Sequence, residues 1–155
     1  MAKNATKKRE EVEDVTNDDL VDSIVDFSED LSDVEAPAPL PKGNYTGVIR
    51  TATKKVSKER GTKFAEIMFV ISSDQYPADY TDGDPNGTTI AYRRVSLEDN
   101  PRARYGTRLF IESIGAPLGK RIDLTEWAGL EANVEVDHET YEGVDRPIIR
   151  RVMAV

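Results

Sequence analysis

From residue 43 onward, hydrophobic and polar residues alternate in short blocks divided by polar turns, the period-two signature of strands. Asn44 to Val56, rich in Tyr, Val, Ile and Thr, predicts a long first strand with Gly47 as its bend or bulge point. The polar run Ser57 to Thr62 reads as a turn, with Gly61 supplying a positive φ. Lys63 to Ser72 is an apolar second strand, Ser73 to Gly87 a long, flexible polar loop, and Thr88 to Ser96 a third strand. The period then changes. Asn100 caps a helix with Pro101 at its first position, Leu109, Phe110 and Ile114 form its apolar face, and Gly115 and Pro117 end it. Asp123 and Glu126 have the spacing of a capping box for a short turn ending near Gly129. Leu130 to Tyr141 alternates cleanly, with Ala132, Val134 and Val136 on one face. After the turn at Glu142 to Asp145, Arg146 to Met153 is a last strand. Five strands with a helix between the third and fourth give a mainly β domain, in the order of an OB-fold-like five-stranded barrel.

The chain before residue 43 is patterned differently. Leu20, Ile24, Phe27, Leu31 and Val34 recur at steps of four and three, one helical face. Thr16 lies three residues before Asp19, a capping spacing, and Asp18 and Asp19 favour the positive end of a helix. Ala36 to Pro41 alternates with proline and reads as a stiff linker. The expected organisation is an acidic arm (1–35) that is partly disordered or folds as an amphipathic helix onto a partner, a linker (36–42) and one domain (43–155).

Charge sharpens that division. The 155 residues carry a formal charge of −8. Residues 1–40 hold four basic and twelve acidic residues, so the remaining 115 residues are neutral, with seventeen of each sign. The absence of cysteine excludes disulfides, thiolate nucleophiles and cysteine metal sites. With His138 as the one histidine, a histidine metal site or a triad has little to build on; the residue is read as packed or at a rim. No apolar run approaches the roughly 18 residues of a membrane helix. The basic start, Met1 to Arg9, leads into no hydrophobic stretch and does not read as a secretory signal. The picture is of a cytosolic protein without a cofactor that is not an enzyme.

Two basic clusters stand out. Arg50, Lys54, Lys55, Lys58, Arg60 and Lys63 surround the first hairpin, opposed only by Glu59. Arg93, Arg94, Arg102, Arg104 and Arg108 follow on the third strand and helix. Single-strand binding requires cations along a groove and aromatic faces for stacking. The candidate platforms are Phe64, Tyr92 and Tyr141. Glu131, Glu135, Asp137 and Glu139 alternate outward on the fourth strand and would repel phosphate. Residues Asp82 to Gly87 mimic the start of a calcium loop, but Arg93 stands where its bidentate glutamate belongs. Asp74, Asp79, Asp82 and Asp84 share one loop rather than converging from separate elements, a poor basis for a nuclease. Trp127 reads as a core plug.

The run Leu40-Pro41-Lys42-Gly43-Asn44-Tyr45 resembles the opening of a family of small bacteriophage proteins of unknown function, often described as single-stranded DNA-binding proteins. The likeness continues through Lys54 to Lys58, Gly61 and Phe64 to Ile71. It returns at Ile114 to Ala116, Ile122 to Leu124, Ala128 to Leu130 and Tyr141 to Val144. The resemblance implies a phage accessory of DNA replication or recombination, acting in the cytoplasm of an infected bacterium. Single-stranded DNA is then the expected partner, with phage or host replication or recombination proteins engaged through Leu20, Ile24 and Phe27. A rival reading keeps the acidic helix as the working part of a non-catalytic adaptor or regulatory protein.

Overall fold

The computed structural model describes residues 23–155, and the chain divides after Glu35, with Ala36–Val155 forming one compact unit. That unit is mainly β: five antiparallel strands in one sheet, plus one α-helix. The strands are β1 (Gly43–Val56), β2 (Lys63–Ile71), β3 (Thr88–Ser96), β4 (Glu131–Tyr141) and β5 (Val144–Met153), in the order β3-β2-β1-β4-β5. Helix α1 (Pro101–Ile114) lies between β3 and β4 in the chain, and 3-10 turns span Ser73–Gln75 and Leu124–Trp127. The edge strands β3 and β5 approach each other without a hydrogen-bonded ladder, so the sheet stays open rather than closing into the expected barrel.

The long first strand is the hinge of the sheet. Its first half, Gly43 to Val48, pairs with β4, and Gly47 to Val56 pairs with β2. The register shift of its pairing with β2 falls between Ile49 and Thr51 rather than at Gly47. Gly47 serves packing instead: a Cβ there would lie 3.0 Å from the Phe69 ring and 3.3 Å from Val134. Where β2 has ended, the Gln75 side chain takes over its pairing, accepting from the Thr46 N–H (2.8 Å) and donating to the Thr46 carbonyl (2.7 Å).

The core lies between the inward face of the sheet and α1. Ala65, Ile67, Phe69 and Ile71 from β2 meet Ala132, Val134 and Val136 from β4, with Trp127 buried beneath the helix. Asn100 caps α1 by accepting from the Ala103 N–H at 2.9 Å, and Gly115 ends it with φ 72°, where a side chain would be strained. The helix buries Phe110, Ile111 and Ile114, whereas Leu109, expected on that face, is exposed. The β4–β5 hairpin turns tightly at Glu142 (φ 51°) and Gly143 (φ 79°), the type I′ geometry that matches strand twist.

Residues 36–42, expected as a stiff linker, are tied to the domain. Leu40 is 1% exposed, its carbonyl accepts from His138 Nε2 (2.7 Å), and the Pro41 carbonyl accepts from the Tyr45 hydroxyl (2.8 Å). Ala38 donates its N–H to Asp82 and accepts from the Tyr80 hydroxyl. The compact unit therefore starts at Ala36, because one leucine in the proline run finds a core site. The loop after β2 is ordered by an edge-to-face pair of Tyr76 and Tyr80, and a Cβ on Gly83 would overlap both rings. In the acidic arm, residues 23–35 hold a 3-10 turn at Leu31–Asp33 and no α-helix, with Ile24, Phe27, Leu31 and Val34 exposed. Leu20 and the capping residues Thr16, Asp18 and Asp19 lie outside the described residues.

Candidate nucleic-acid interface

Strand periodicity divides the candidate residues between two faces of the sheet. On β2 the buried series is Ala65, Ile67, Phe69, Ile71, so Phe64, Glu66, Met68 and Val70 form the outward one, each half-buried. Phe64 is paired with Lys55 on β1 and Ser96 on β3. Its ring therefore belongs to an outer stripe, Phe64–Met68–Val70, between strands that carry cations.

Tyr92 has the opposite fate. It shares its phase with the buried Ile90, and its ring stacks on Phe110 (centroids 5.8 Å apart, 17° between planes) and meets Phe69 edge-on at 6.5 Å. Burial pushes its hydroxyl pKa up, partly offset by Arg94. Tyr92 is thus half-buried against the core with one ring face covered by Phe110, which leaves that face closed to a stacking base. Tyr141 is exposed at the end of β4, with the Arg146 guanidinium 4.6 Å above its ring centroid.

The cations divide just as clearly by partner. Opposite Glu66, β3 has one extra residue, so Arg93 and Arg94 together face a single position of β2. Arg93 Nε donates to Glu66 at 2.7 Å, and Lys55 Nζ lies 3.2 Å from its other oxygen. With its side chain 15% exposed, Glu66 is held below the usual carboxylate range, first by the Arg93 hydrogen bond and then by Lys55, against the cost of burial. Arg104 pairs with Asp99 and Arg108 with Glu112. By contrast, Arg50, Lys54, Lys58, Arg60, Lys63, Arg94 and Arg102 have no ion-pair partner among the described residues.

Four of these free cations gather on the first hairpin. Its turn is fixed by the Ser57 N–H to the Thr62 carbonyl (2.8 Å), the Gly61 N–H to the Ser57 carbonyl (2.8 Å) and a Gly61 φ of 69°. Lys58 and Arg60 project from that turn; Lys54 and Lys63 flank it. Lys54 and Lys55 are adjacent and so lie on opposite faces. Lys54 borders a cleft of about 420 Å³ with Leu97, Arg121, Ile122 and Trp127. The hairpin is tied to the segment leading into α1, where the Lys63 N–H donates to Glu98 at 2.6 Å.

The acidic ridge of β4 is neutralised from the neighbouring strand. Arg151 pairs with Glu135 (2.8 Å), Arg150 with Asp137 (2.6 Å) and Arg146 with Glu139 (2.7 Å), and Lys42 also reaches Asp137. The Asp137 carboxyl is held low, chiefly by the His138 N–H and then by Arg150. This corrects the expectation of a repelling face: only Glu131 of the four has no ion-pair partner among the described residues. A second outward cleft, about 580 Å³, lies at that end of the sheet, lined by Val48, Arg50, Val70, Asn86 and Glu131 among others.

Sequence reasoning missed Glu66 as the carboxylate that holds Lys55 and Arg93. The signal was present, since Glu66 stands in phase with Phe64 and out of phase with Ile67 and Phe69. Among the described residues, no group of three acidic or histidine side chains is placed to hold a metal ion. Of the loop acids, Asp82 accepts from Ala38 and Asp84 from the Asn86 N–H at 2.8 Å. No described helix is long and apolar enough to cross a membrane. No protein-family model matches the chain, and no curated protein matches it.

Proposed function

We propose that this chain is a non-catalytic single-stranded DNA-binding protein whose outer β1–β2–β3 face and first hairpin carry the strand. The observation behind this reading is the segregation of charge in a neutral domain. Lys54, Lys58, Arg60 and Lys63 are unpaired at one hairpin, while three of the four β4 carboxylates, Glu135, Asp137 and Glu139, are met by β5 arginines. The hairpin leads into the outward stripe headed by Phe64, a ring of the kind on which bases stack, while Lys54 and Lys63, in phase with the buried Ala65, meet the strand from the hairpin's other side.

The strand order, with a helix between the third and fourth strands and the β3 and β5 edges drawn together, favours an OB-like domain. In such a domain the β1–β2 loop and the β2–β3 face are the usual nucleic-acid surface. Sequence resemblance adds a bacteriophage setting, with a role in replication or recombination inside an infected bacterium. A second reading, an adaptor working through the acidic arm, draws on the exposure of Ile24 and Phe27.

A charge-neutralised variant tests the assignment. Changing Lys54, Lys58, Arg60 and Lys63 to Gln should weaken binding of labelled oligo-dT by more than tenfold, at about 50 mM salt. A control altering Arg150 and Arg151, which are already paired, should cost far less. Equal losses in the two variants would refute the location.

A further inference from the structure

We propose that the outward cleft bordered by Arg50 and Glu131 is a base-selective pocket that takes guanine from a single strand, an inference that rests on the single-strand reading above. Both residues line this cleft of about 580 Å³, yet they do not pair with each other or with any other described residue. Elsewhere on the outer face, opposite charges on neighbouring strands close into ion pairs.

The sheet accounts for the exception. Glu131 begins β4 opposite Val48, and the bulge between Ile49 and Thr51 displaces Arg50 from regular register. The β5 ladder reaches only as far as Met153 opposite Asn133, so no β5 arginine extends to Glu131. One cation and one carboxylate are therefore left around a single open space. Val48 and Val70 supply apolar surface for a base face. Gln75 also lines the cleft, and both ends of its amide are engaged by the Thr46 backbone, which fixes that wall.

Guanine is the base whose chemistry fits this pairing. Its N7 and O6 are adjacent acceptors, suited to the arginine fork. Its N1–H and N2–H groups are adjacent donors, suited to a carboxylate, which only accepts. Adenine lacks the second donor, and thymine and cytosine lack the N7/O6 pair. An Arg and a Glu that do not close on each other can each be satisfied by this one ligand.

The test uses the full chain and fluorescein-labelled 15-mers, one all thymidine and others with three single guanines, adenines or cytosines separated by thymines. The guanine strand should bind about tenfold tighter than oligo-dT, the value of one good bidentate contact. Glu131→Gln should remove that advantage and leave oligo-dT affinity within about twofold, and Arg50→Lys, which keeps charge but loses the fork, should also remove the guanine advantage. On the unaltered protein, dGMP should displace the guanine strand at lower concentration than dTMP, so the result does not depend on a variant folding. Equal binding of all four strands, or a guanine preference that survives Glu131→Gln, overturns the pocket while leaving the single-strand reading intact. Failure to bind oligo-dT at low salt overturns both.

Discussion

Replacing Tyr92 and Phe64 separately by alanine distinguishes packing from binding on this sheet. Tyr92 loses two aromatic contacts, the stacked pair with Phe110 and the edge-on pair with Phe69. Each is worth about 0.5–1.5 kcal/mol beyond buried area. With the partial burial of the ring added, Tyr92→Ala should cost about 3 kcal/mol of stability. For a unit of this size, that lowers the melting temperature by about 12 °C. Its folded fraction should bind oligo-dT as the parent does. Phe64 faces outward and is half-buried, so Phe64→Ala should shift melting only slightly and cost about 1–3 kcal/mol of binding, the worth of one base stack. Thermal melts followed by circular dichroism, and fluorescence anisotropy well below each melting point, give both numbers. If Tyr92→Ala melts normally and loses binding while Phe64→Ala binds normally, the assignment of faces is refuted.

Deleting residues 1–35 takes the net charge from −8 to zero, so the shortened chain should bind single strands more tightly and associate faster at low salt, with the gain shrinking as salt screens it; the same deletion should abolish any recruitment through Leu20, Ile24 and Phe27. Leu40→Ala, five residues beyond that boundary, should cost about 2–4 kcal/mol in urea titrations because the side chain is fully buried; a neutral result would show this tie to the domain to be dispensable. The Glu66 carboxyl is held below its ordinary value near 4.5, so its contribution is present above that value and is lost as pH falls through the lowered one; Glu66→Gln should flatten the loss of stability below about pH 4.5, and an unchanged acid profile would contradict the pairing with Arg93.

The five strands and the helix were legible because each has a strong local signal. Alternation marks β2 and β4, Asn100-Pro101 opens the helix, and Gly115 ends it. What local patterns do not encode is which partner a surface charge meets. The pairing of Arg150 with Asp137 spans a hairpin register, and the joint hold on Glu66 spans three strands. Bulges compound this, since one extra residue at Arg50 or Arg93 changes which face the next side chain occupies. The phase Tyr92 shares with Ile90 marks its ring as inward. In the arm, helical spacing over Ile24 to Val34 was real, but periodicity reports a face without supplying the surface that face must cover.

The salt dependence of oligo-dT binding by the full chain addresses the central claim most directly. With Lys54, Lys58, Arg60 and Lys63 each neutralising one phosphate, the log–log slope should be about −3, and affinity should fall roughly 50-fold from about 50 to 200 mM salt. A slope near zero, or no binding at low salt, would contradict the account.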